Sequence, residues 1–143
     1  MRSLSVTRVL PIWLPKIQAC VPDIETITSR DQTGYVSIDF TSKFTHAITR
    51  SVLMKRMFCC CGVCEAEICT LGGTLGLTGE YGENVLGLVE DAAREDRYAR
   101  VMCTTIQGYE EVHKALEKRK WTMLPPHTNR RTNNQIFTWY KDL

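Results

Sequence analysis

The sequence predicts an α/β fold, a mixed and mostly antiparallel sheet flanked by helices, and three observations predict it. Short β-rich runs follow one another through the first half of the chain, as consecutive antiparallel strands do. From about residue 80 the pattern changes to helical and strand periods in alternation. The composition is that of a globular protein: 43% hydrophobic and 24% charged over 143 residues. That length supports one core, so residues 1–143 are expected to form a single domain.

The elements follow in order. Ser3 to Val9 alternates apolar and polar residues and reads as a first strand. Pro15 to Cys20 reads as a short helix, opened by one proline and stopped before Pro22. Gly34 is a turn, after which Tyr35, Val36, Ile38 and Phe40 make a strand. Phe44 to Ile48 extends it or begins its hairpin partner, and Ser51 to Cys61 is a further apolar run ended by Gly62. Glu65 to Leu71 is another strand, closed by Gly72 and Gly73. Val85, Leu86, Leu88, Val89, Ala92 and Ala93 then form one helical stripe, which predicts a helix from about Gly82 to Tyr98. Ala99 to Ile106 is a buried strand. Gly108 opens a second helix, with Tyr109, Val112 and Leu116 as its inner face and Lys118, Arg119 and Lys120 suited to its C-terminus. Trp121 to Leu124 and Gln135 to Lys141 are strands joined across Pro125, Pro126 and a polar turn from Thr128 to Asn134.

Several functions are set aside by composition. No apolar run approaches the roughly 20 residues that span a bilayer, and Met1 to Leu14 lacks the uninterrupted apolar core of a signal peptide. The seven cysteines are odd in number and five of them cluster between Cys59 and Cys69, a poor disulfide framework; free thiols and a cytoplasmic location are expected. Cys61 and Cys64 have C-x-x-C spacing, but no second pair accompanies them, so no metal site is assigned. Charge is uneven. Residues 1–60 hold eight Lys and Arg against four Asp and Glu, residues 61–93 hold none against six, and residues 94–143 hold ten against six. Lys118 to Lys120 with Arg130 and Arg131 make basic clusters near Trp121 and Trp139, yet no nucleic-acid motif accompanies them, and solvated charge is the expected role.

The second half of the chain resembles the GCN5-related N-acetyltransferase superfamily. The residues that carry the likeness are the strand Ala66 to Leu71, the loop Leu77-Thr78-Gly79-Glu80-Tyr81-Gly82, the helix after it, the strand Arg100 to Thr105, the helix Tyr109 to Trp121, and the closing segment Arg131 to Ile136. In that family the loop precedes a helix whose free backbone amides hold the pyrophosphate of acetyl-CoA, and glycines let the backbone approach the anion. The resemblance implies acetyl-CoA as cofactor, an amine as acceptor, and transfer by direct attack on the thioester. It assigns cofactor binding to Leu71, Gly72, Gly79, Gly82, Glu83 and Asn84.

The same comparison implies catalytic residues. A carboxylate on the strand entering the loop can take the amine's proton, which points to Glu67, with Glu65 beside it. Tyr81 and Tyr109 are candidates for the acid that protonates the leaving thiolate, and His113 for a proton shuttle. The family's Arg or Gln loop position is Leu77 here, its first glycine position is Glu80, and its tyrosine on the second helix is Leu116. Like charges about 5 Å apart repel by about 3 kcal/mol at an effective dielectric near 20. Glu80 and Glu83 therefore call for cations from elsewhere, expected from Arg119, Lys120 or Arg130. This departed pattern resembles the acetyltransferase-like internal virion proteins of short-tailed bacteriophages. That likeness implies an alternative: a catalytically silent structural or assembly component, with a protein partner, in a virion or host cytoplasm.

Overall fold

The computed structural model describes residues 7–9, 12–58, 64–71 and 79–143. The elements are β1 (Thr7–Val9), α1 (Leu14–Cys20), β2 (Ile24–Gln32), β3 (Tyr35–Ser42), β4 (Ile48–Phe58), β5 (Cys64–Leu71), α2 (Gly79–Glu95), β6 (Arg100–Ile106), α3 (Glu110–Lys118), β7 (Thr122–Met123), β8 (His127–Thr128) and β9 (Gln135–Asp142). One sheet runs β1-β2-β3-β4-β5-β6-β9-β7, with β8 also paired to β9. Every pairing is antiparallel except β5 with β6. A parallel pair needs a long crossover, and α2 supplies it. The mixed, mostly antiparallel sheet with helices is the architecture expected from the sequence.

The helices lie on one face. Val36, Ile38 and Phe40 of β3, Val52 and Met54 of β4, Ala66 and Ile68 of β5, and Val101 and Cys103 of β6 are buried together with Ile17 of α1 and Val85, Leu86, Leu88 and Val89 of α2. Strand alternation puts Thr105, Trp139 and Lys141 on that same face, opposite or in line with Cys103 and Val101. Lys141 reaches Glu90 of α2, and Thr105 reaches His113 of α3.

Three bulges shape the sheet. Between Ile24 and Thr26 the register shifts, so Glu25 is extra and Ile27 returns to the face of Ile24. Between Phe40 and Thr41 the shift on β4 falls at Thr49, which leaves Arg50 opposite Phe40 on the helix face and Ile48 54% exposed. The third leaves Cys69 of β5 unpaired between Ile68, opposite Met54, and Thr70, opposite Leu53. A bulge bends its strand and increases its twist, and this one sits where β5 leaves β6.

Candidate functional site

The parallel pairing of β5 and β6 covers Glu65 with Arg100, Ala66 with Val101 and Glu67 with Met102, and stops there. Both strands continue, β5 to Leu71 and β6 to Ile106. Beyond Glu67 the two therefore diverge into a wedge, with the Cys69 bulge on one wall and Cys103 to Ile106 on the other. α2 begins beside the open end of β5, at Gly79.

Gly79 has φ +55°, a conformation that favours glycine, and none of the described residues lies within 4 Å of where its Cβ would stand. The first four amides of an α-helix have no partner in the ladder, so the open donors are those of Gly79, Glu80, Tyr81 and Gly82. The helix starts three residues before the expected Gly82. In consequence the amides of Glu83 and Asn84 fall within the helical ladder rather than facing an anion. The Asn84 side chain instead donates to the Lys16 carbonyl at 3.5 Å.

A cleft of about 350 Å³ opens between this first turn and α3. Gly79 and Glu83 form one wall; Glu111, Lys114, Ala115, Glu117 and Lys118 form the other. Lys118 Nζ stands 3.7 Å from a Glu83 carboxylate oxygen, and Lys114 Nζ stands 3.1 Å from Glu111. Glu83 thus lines the cleft but is held by a cation from the opposite helix.

The cations expected to close over the first turn are placed differently. Arg119 is committed to Glu90, and Lys120 and Arg130 are exposed. Besides Lys118, a cation near this turn is Arg50 of β4, whose guanidinium carbon lies 5.8 Å from the Tyr81 ring. Its Nη1 is buried and has no hydrogen-bond partner among the described residues. Burial raises the Tyr81 phenol above its ordinary value, with Arg50 pulling it down and Cys20 and Asp23 pushing it up.

Solved structures share this fold. A GNAT-family acetyltransferase from Elizabethkingia anophelis, solved with acetyl-CoA bound, superimposes with a TM-score of 0.62 at 10% identity, over 99% of this chain and 100% of that one. An N-acetyltransferase from Staphylococcus aureus Mu50 gives 0.61 at 8% identity over 98% of each chain. The NatC complex bound to Gag peptide and CoA gives 0.63 at 9% identity, over 75% of this chain and 70% of that one. The chain has the GNAT acetyltransferase fold. No protein-family model and no curated protein sequence matches it.

Within the GNAT fold, the residues singled out in the sequence fall at different distances from the wedge. Glu67 is half-buried on β5, at the last paired position before the strands part. Tyr81 is half-buried in the first turn of α2. Tyr109 is the residue before α3, with φ −93° and ψ 48°, and is 52% exposed rather than on the helix's inner face. That face is built from Val112, Ala115 and Leu116, and Leu116 is fully buried. Leu71 ends β5; Gly72 and the Cys59 to Cys61 part of the cysteine cluster lie outside the described residues, and no group of metal-ligating side chains occurs among those described.

Two features of the site escaped the sequence reading. Arg50 is one. The other is Thr105, whose Oγ1 accepts the Trp139 indole N–H at 3.1 Å and meets Nε2 of His113, the candidate shuttle, at 2.7 Å.

Proposed function

We propose that this chain is an acyl-CoA-dependent N-acetyltransferase acting on an amine. The observation that carries the reading is the wedge itself: a parallel pair that ends at Glu67 and Met102 while a helix with open amides begins next to it. The residues present fit the cofactor. A diphosphate suits the amides of Gly79 to Gly82, since a helix N-terminus favours an anion. Arg50 adds the cation that Glu80 makes necessary, and a charge-assisted hydrogen bond to phosphate is the natural use for its orphaned Nη1. The backbone of Leu71, at the end of β5, borders the wedge where the pantetheine arm would lie. The paired charges of the α2–α3 cleft leave room for the uncharged parts of the molecule.

The cofactor supplies an acyl group activated as a thioester. Glu67, directly or through a water, takes the proton that the amine sheds on attack. The protein binds both reactants in one wedge, which converts a bimolecular encounter into an oriented one. Tyr81 keeps its proton at neutral pH, because burial raises the phenol, and donates beside Arg50 at the phosphate end.

A second reading is a silent scaffold of the same fold, such as a virion or assembly component. The fully buried Leu116, where the resembling family carries its tyrosine, favours it. Calorimetric titration with acetyl-CoA separates the two. The enzyme reading expects micromolar binding, weakened about tenfold or more in Arg50→Ala. An absence of binding at millimolar acetyl-CoA supports the scaffold instead.

A further inference from the structure

We propose that Thr105 and His113 form a relay that hands a proton to the departing sulfur, in place of a helix-borne tyrosine. The inference rests on the reading of the wedge as the acyl-CoA site. Thr105 lies on the part of β6 that β5 no longer pairs, and on the face that α3 covers. It is 7% exposed, so its hydroxyl must satisfy itself locally.

The geometry fixes who donates. An indole N–H can only give a hydrogen bond, so Trp139 Nε1, at 3.1 Å, occupies one lone pair of Thr105 Oγ1. His113 Nε2 stands 2.7 Å from the same oxygen. With a neutral imidazole whose Nε2 is bare, the threonine hydroxyl donates to that nitrogen. With imidazolium, Nε2–H donates to the second lone pair, and the hydroxyl hydrogen must turn to a third direction. Both protonation states are therefore hydrogen-bonded without moving a heavy atom, and the charged state aims the hydroxyl away from its two partners.

The imidazole is held in place for this. Its ring centroid lies 5.0 Å from Phe137, edge-on at 63°, and 5.5 Å from Trp139 at 40°. These ring contacts, and Thr105, carry no charge; on α3 itself Glu110 and Glu117 stand a turn to either side. His113 also shares a helix face with Leu116, three residues on, so it stands one turn nearer the helix start than the buried leucine. The other side chain of this stretch on the helix face, Cys103, is inert: burial, with the Glu67 carboxylate adding to it, pushes its thiol up to about 12.

The amine's nitrogen bonds to the acyl carbon and the carbon–sulfur bond breaks. Thr105 Oγ–H protonates the departing sulfur, and His113 Nε2–H replaces the hydroxyl proton, leaving a neutral imidazole. Glu67 holds the proton lost by the amine, and solvent exchange resets both groups.

The test uses the full chain and four proteins: wild type, Thr105→Val, Thr105→Ser and His113→Gln. Histidines are labelled with ¹⁵N, and the His113 ring signals, assigned by their loss in His113→Gln, are followed while free CoA is added. The relay expects those nitrogens to shift on CoA binding in wild type and Thr105→Ser, and to stay put in Thr105→Val. In parallel, thiol release from acetyl-CoA with a panel of primary amines should fall about a hundredfold in Thr105→Val and His113→Gln. Thr105→Ser should recover it, with acetyl-CoA affinity unchanged throughout. CoA binding without any movement of His113, or undiminished turnover in His113→Gln, overturns the relay alone. A wild-type chain that binds no acetyl-CoA overturns the reading it rests on as well.

Discussion

Glu90 of α2 is 1% exposed, and three side chains converge on its carboxylate through four hydrogen bonds. Arg119 contributes Nε at 3.1 Å and Nη2 at 2.9 Å, Trp121 its indole N–H at 3.1 Å, and Lys141 its ammonium at 2.6 Å. Lys141 also donates to the Arg119 carbonyl at 2.7 Å. One carboxylate thereby ties α2 to the end of α3 and to β9. Burial by itself would raise the carboxyl pKa; the hydrogen bonds from Arg119, Lys141 and Trp121 outweigh it and hold the group below its ordinary value. The sign follows. A depressed folded pKa contributes stability that is complete above the unfolded value of 4.5 and is lost as pH falls below it toward the folded value. Removing the charge leaves two partly exposed cations facing each other without their carboxylate, which costs about 2–4 kcal/mol, the lower part of the range for a broken buried pair. Glu90→Gln should lower the melting temperature by about 10 °C at pH 7. Its melting temperature should also fall less steeply than wild type's between pH 5 and pH 3 in calorimetry. Parallel acid profiles would show that Glu90 carries none of the acid sensitivity.

At the scale of elements, the contact that seats α1 on α2 is a missing side chain. A Cβ at Gly87 would fall inside the Trp13 indole, which crosses α2 there and donates to Asp91, one turn on, at 2.8 Å. Glycine in a helix interior costs about 1 kcal/mol relative to alanine, and here it is retained for the ring. Gly87→Ala should therefore destabilise by about 1–3 kcal/mol. The same change in a Trp13→Ala background should stabilise by about 1 kcal/mol. A double-mutant cycle in urea checks the coupling, and additive effects would refute it. Elements with an unbroken period were legible from sequence. The stripe from Val85 to Ala93 placed α2, and the acidic start and basic end of α3 agree with its polarity. β2 was not legible, because the bulge at Glu25 puts its two buried isoleucines, Ile24 and Ile27, three residues apart, a spacing that alternation does not produce. The start of α2 was misjudged for a related reason. Gly79 and Gly82 look alike as letters, but Gly79 takes the positive φ while Gly82 is buried inside the helix. Arg50 reaches the site only because the Thr49 bulge turns it to the helix face, and no local pattern announces that.

At the scale of the whole molecule, the sheet consists of two antiparallel parts joined at one seam. β1 to β5 form the first part and β6, β9, β7 and β8 the second, and among the described residues three register pairs between β5 and β6 are the backbone pairing that joins them. The wedge is the continuation of that seam, so whatever occupies it bridges the two parts. Divergence of paired strands is a property of register and bulge placement, which is why the sequence could indicate the loop and its glycines but not the opening beside Glu67. The bridging has a measurable consequence. β5 is paired to β4 on its other side, and β6 to β9 along its full length. Among the described residues, the backbone groups that lack a strand partner at the wedge are therefore those on the β6-facing edge of Ile68 to Leu71 and on the β5-facing edge of Cys103 to Ile106, together with the first turn of α2. Amide exchange there should be fast in the free protein. Saturating CoA stabilises the bound state by about 2.7 kcal/mol at a hundred times its Kd. Local protection should appear first at Ile68 to Leu71 and Gly79 to Gly82, while amides in the β2–β3 ladder, distant from the seam, slow only to the extent that global unfolding limits them. Exchange followed by mass spectrometry with and without CoA reads this directly. Uniform slowing with no excess at the seam would place the ligand elsewhere on the fold.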